Sequence, residues 1–108
     1  MRDIQERFKD MLEAIERIER YAAKGQTEFE TNELIQNWFV RHLQIIGEAA
    51  RAIPQNERDE YPDIPWSKIV GMRHILVHDY FGIDLKIVWQ AVSTDLPNLK
   101  SQLQKALL

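Results

Sequence analysis

The chain has 108 residues with no cysteine, four glycines and four prolines, and its 14 Lys+Arg stand against 17 Asp+Glu for a net charge of −3. That length suits one compact domain and no second core, and the few turn formers argue for a helical rather than a turn-rich β protein. The missing cysteine excludes disulfides, thiolate metal sites and a cysteine nucleophile, while the acidic balance argues against generic high-affinity nucleic-acid binding. The charge is uneven: residues 1–65 carry 9 basic against 14 acidic groups and residues 66–108 carry 5 against 3, so an anionic ligand prefers the C-terminal portion. No apolar run approaches the roughly 20 residues of a membrane span, and the charged start lacks a signal-peptide core. A cytoplasmic protein without membrane association is expected.

In chain order, the first helix is expected from about Asp3 to Ala23, with Ile4, Phe8, Met11, Leu12, Ile15 and Ile18 returning at helical spacing. Glu13/Arg17 and Glu16/Arg20 decorate its other side. Gly25 supplies a stop, and Gln26 to Asn32 reads as a polar connection ending in Thr31 or Asn32 as an N-cap. A second helix from Glu33 to about Ile53 carries a wide apolar stripe, the pattern of a central bundle helix. The stretch Pro54 to Pro65 holds three prolines and a net charge of −3 and reads as an exposed acidic connector. Pro65 suits the first turn of a third helix starting near Trp66, which meets Gly82 as a stop. Asp84 is a natural N-cap for a fourth helix through Leu85, Val88, Trp89 and Val92. Asp95 and Pro97 mark either a kink or a fresh start before a last amphipathic segment ending near Leu107. The expectation is an all-α single domain of four or five helices.

At about 100° per residue, the third helix places Ile69, Met72, Ile75 and Leu76 on one side as a core face. Arg73, Val70, Val77, His74 and His78 fall around the opposite half. Val70 and Val77 there form an apolar strip rimmed by polar groups, which suggests a homodimer contact. Arg73 and His78 are five residues apart and point roughly 140° away from each other within one regular helix. A two-fold interface resolves this by bringing Arg73 of each copy to His78 of its partner. A helix continued past His78 turns Asp79 toward the core, so a bend or an end is expected there.

Arginine and histidine are the side chains that metal-free RNA cleavage needs most. Imidazole titrates near neutrality and moves protons; guanidinium grips phosphate and stabilises transition-state charge. The competing reading makes Arg73 a surface ion-pairing residue and His78 a cation at a helix C-terminus. His74 and His78 also form an H-x3-H pair, but Ile75 stands where a metalloprotease has glutamate and no obvious third ligand is near, so no metal is expected. His42 reads as a core histidine with one hydrogen-bonded nitrogen, and Trp38, Trp66 and Trp89 read as core.

The run from Pro62 to Asp84, with Arg73-His74-Ile75-Leu76-Val77-His78-Asp79-Tyr80 at its centre, resembles the signature region of the HepT family of HEPN domains. Ile46-Gly47-Glu48-Ala49-Ala50, Val88-Trp89 and Asp95-Leu96-Pro97 extend the resemblance over nearly the whole chain. Arg73 to His78 fits the R-x4-H motif, and His74 is one of the polar residues allowed after the arginine. The resemblance implies a HEPN-type helical-bundle homodimer that acts as a cofactor-free, metal-independent RNase toxin, with Arg73 and His78 of both chains lining an interface cleft. It further implies a toxin–antitoxin pairing in which an MntA-like nucleotidyltransferase antitoxin transfers AMP to Tyr80. Such AMPylation adds anionic bulk beside Arg73 and His78 and blocks RNA. The alternative is a noncatalytic HEPN nucleotide-binding or adaptor module that docks a nucleotidyltransferase without cutting RNA.

Overall fold

The structure is a computed structural model that describes the backbone of residues 3–78 and 84–108 and the side chains of residues 3–72 and 84–108. Among the described residues every regular element is helical. The first, α1 (Ile4–Ala22), starts where Asp3 accepts a hydrogen bond from the Glu6 amide at 2.8 Å, and it buries Phe8, Met11, Ala14, Ile15 and Ile18. Gly25 follows with φ +93°, a value glycine adopts without a side-chain penalty.

The expected polar connection is instead a short helix, α2 (Gln26–Thr31). Its single apolar side chain, Phe29, is buried and stacks on Phe39 at 5.2 Å and Trp89 at 5.5 Å between ring centroids. One aromatic in a polar run leaves no periodicity to read; burial of that ring against two other helices holds the turn in place. Asn32 then caps α3 (Glu33–Arg51), accepting from the amides of Leu34 and Ile35 at 3.0 and 3.3 Å. As expected of a central helix, α3 packs against α1 on one side and the helix after the connector on the other.

The acidic connector is more ordered than its composition suggests. It contains a one-turn helix, α4 (Gln55–Arg58), and the buried Ile64. Arg58 reaches back to the carbonyls of Ile53 at 2.8 Å and of Ala50 and Arg51 at 3.1 Å, satisfying acceptors that the end of α3 leaves open. Next come α5 (Trp66–His78) and α6 (Leu85–Gln90), the latter capped by Asp84, which accepts from the Lys86 amide at 2.9 Å.

Asp95 and Pro97 produce neither a kink nor a restart. A π-turn over Ala91–Asp95 carries α6 directly into α7 (Leu96–Ala106), with the Leu96 amide bonding the Ala91 carbonyl five residues back. Proline has no amide to give and its ring clashes with the carbonyl four residues earlier, so a locally widened helix lets the rod pass Pro97. The buried apolar residues of α1, α3 and the α6–α7 rod form one contiguous cluster. Each fully buried large side chain in it contributes about 1.5–3 kcal/mol. No helix among the described residues is long and apolar enough to cross a membrane.

Candidate active site

The segment that carries the R-x4-H motif is fixed from its N-terminal end. Trp66 opens α5 with its ring stacked near Phe8 (centroids 6.1 Å apart) and its indole N–H donated to the Tyr61 carbonyl at 3.1 Å. Tyr61 meets Phe8 edge-on at 5.1 Å, and the Arg58 guanidinium lies over the Trp66 ring at 5.8 Å. Three aromatic rings and a cation thus hold the first turn on the start of α1. One turn later Ile69 is buried and Lys68 pairs with Asp95 of the π-turn at 2.9 Å, tying α5 to the α6–α7 rod.

The described part of α5 tests half of the helical-wheel expectation. Ile69 and Met72 face the core, buried and half-buried respectively. Val70, expected on the outer strip, is half-buried and packed against the same core. The exposed side holds Ser67, Lys68 and Gly71. Arg73, His74, Val77 and His78 all belong to the α5 backbone, while their side chains, those of Ile75 and Leu76, and all of Asp79 and Tyr80 lie outside the described residues. The backbone is helical through both motif positions. Five residues of α-helix give about 7.5 Å of rise and a rotation of about 140°, so helical register alone does not put Arg73 and His78 on one side of a single α5.

His42 is buried as expected. Its Nδ1 lies 2.7 Å from the Trp38 carbonyl and its ring sits 4.3 Å from that of Trp38. Donation from Nδ1–H to the carbonyl leaves Nε2 as the acceptor of the neutral ring. His42 lines a cavity of about 280 Å³ between α1 and α3, bordered by Arg7, Asp10, Arg17 and Glu48. Among the described residues no group of three or more His, Asp or Glu is placed to hold a metal. The three tryptophans are half-buried at the core rim rather than enclosed. Trp38 keeps its N–H on the Arg17 carbonyl at 2.9 Å, because a polar edge on a large ring favours the boundary.

Sequence periodicity missed the Lys68–Asp95 pair and the exposed Gly71, since the first spans 27 residues and the second lacks a side chain.

Comparison with known proteins gives a consistent result. The model of the ribonuclease HepT-like family matches residues 11–106. The chain is 36% identical over 104 residues to a candidate RNase of Methanocaldococcus jannaschii, covering 95% of each protein. It is 38% identical over 99 residues to the probable ribonuclease HepT of Thermococcus cleftensis, covering 91% of this chain and 90% of that protein. A third relative, from M. jannaschii, is named as a gamma-glutamylcyclotransferase and candidate RNase; it is 38% identical over 105 residues. Those residues are 96% of this chain and 47% of that protein, so the chain spans about half its length. No solved structure matches. With the family match running through the core of α1, the whole of α3 and α5 and the α6–α7 rod, the chain belongs to the HepT-like ribonuclease family.

Proposed function

We propose that this chain is a metal-independent endoribonuclease, the cytoplasmic toxin of a HepT/MntA-type toxin–antitoxin pair. One observation carries the reading: a family-matched helix holds Arg73 and His78 in R-x4-H register. That register sets them about 140° apart on a single helix, which favours a homodimer whose site combines Arg73 of one protomer with His78 of the other. Val70 and Val77 lie on the same helix, and the partner contact was expected along them.

The chemistry needs no cofactor. The RNA 2′-hydroxyl attacks the adjacent phosphorus, His78 accepts its proton, and the 5′-oxygen leaves with a proton returned by an imidazolium or by water, giving a 2′,3′-cyclic phosphate and a 5′-hydroxyl. Arg73 binds the non-bridging oxygens and offsets the charge of the pentacoordinate state. His74, next to Arg73 in sequence, supports phosphate binding. Tyr80 is the AMP acceptor: its phenolic oxygen attacks the α-phosphorus of a nucleoside triphosphate held by an MntA-like nucleotidyltransferase, and pyrophosphate leaves.

Incubation of the purified chain with RNA in excess chelator tests the reading. Cleavage is expected to persist, and to fall at least about 100-fold in both Arg73→Ala and His78→Ala. Intact RNA with a chain never exposed to an antitoxin, alongside normal binding of a nucleotidyltransferase, overturns the assignment in favour of a noncatalytic adaptor.

A further inference from the structure

We propose that the groove between Gly71 of α5 and Ile87 of α6 is the surface on which a second copy of this chain docks. The proposal rests on the homodimeric reading above and locates its contact.

Gly71 sits inside a regular helix on the exposed side of α5. A Cβ built there meets nothing within 4 Å among the described residues, and its φ is not positive. Neither crowding nor backbone conformation within the chain therefore calls for glycine, and helix propensity opposes it. The use left to a mid-helix glycine is close approach by another backbone or side chain.

Across the groove Ile87 is 49% exposed, one of few large apolar side chains left in water among the described residues. Between them lies a cavity of about 350 Å³ with Met72 and Ala91 in its walls and the Lys68–Asp95 ion pair at its edge. The surface thus carries both a protrusion and a notch. A two-fold contact requires that self-complementarity, because whatever one copy presents the other must receive. Ile87 of each protomer fills the partner's notch at Gly71. The paired Lys68 and Asp95 bring opposite charges to the rim, so two identical surfaces meet without net like-charge repulsion.

The location also suits the motif. Gly71 precedes His78 by seven residues, close to two helical turns, so the backbone register returns His78 to the Gly71 side. The partner then approaches along the exposed side of α5 rather than at Val70, which is already half-buried in its own core.

Analytical ultracentrifugation of the intact chain, with circular dichroism and RNA cleavage on the same samples, tests this. The parent chain is expected to be a dimer. Gly71→Lys and Ile87→Lys are each expected to keep native helix content while the dimer dissociation constant rises at least about tenfold. Dimers of parental strength in both variants overturn the surface and leave the ribonuclease reading standing. If Gly71→Lys loses helix content, Ile87→Lys, at an already exposed position, decides alone. A parent chain that remains monomeric at high concentration overturns both the surface and the composite site. A dimer that is split by these substitutions but never cleaves RNA upholds the surface and removes the function.

Discussion

Arg58 shows how a single side chain can organise more than its place in the sequence suggests. Read along the chain it is one positive charge in an acidic, proline-bounded stretch, with nothing to say where it points. In the fold its planar guanidinium serves three carbonyls at the end of α3 and covers the Trp66 ring that starts α5. Lysine presents a point charge on a flexible stem and cannot reproduce that fork. Arg58→Lys is therefore expected to destabilise the chain by about 1–3 kcal/mol, measured by urea unfolding. Amide exchange should quicken first at the last turn of α3 and at α4. His42 is the opposite case: its place within an apolar stripe was enough to foresee both its burial and its one fixed nitrogen.

At the level of elements, the two short helices and the three long rods have different origins. α1 and α3 repeat apolar residues over 19 residues each, and such periodicity can be read before any tertiary contact is known. α2 has six residues, too few for a hydrophobic repeat, and depends on Phe29 finding Phe39 and Trp89. The cap between them matters correspondingly. Asn32 closes α2 and opens α3, with its side-chain oxygen on two amides of the α3 first turn. Asn32→Ala should cost about 0.5–2 kcal/mol in thermal unfolding with the helix count unchanged; a neutral result would mean that Phe29 alone positions this junction. The π-turn belongs to the same class. Pro97 told the sequence reader that something happens near Asp95, but whether a rod breaks or widens depends on the burial of Ala91, Val92 and Leu96 on either side of the proline.

For the whole molecule, the central prediction is that one chain is half of a site. Mixing Arg73→Ala with His78→Ala protomers should restore cleavage in the heterodimer, which contains about one intact Arg/His pair. The recovered rate should scale with the fraction of heterodimer formed. Confirmed subunit exchange without recovered cleavage would place both groups in one chain. Because phosphate contacts release counterions, the restored activity should weaken as salt rises. The excess of basic over acidic groups lies in residues 66–108 and runs against the acidic first 65.

The order of residues alone determined the helical class, the long rods, the Asp3, Asn32 and Asp84 caps, and the identity of the candidate site. Those features come from interactions within one or two turns of helix or from a contiguous motif. Tertiary structure alone decided that Phe29 makes a helix, that Arg58 closes one, that Lys68 is tied to Asp95, and that Gly71 stands at an open notch opposite Ile87. Each of these joins residues of different elements. Side-chain burial, not local spacing, sets which of them meet.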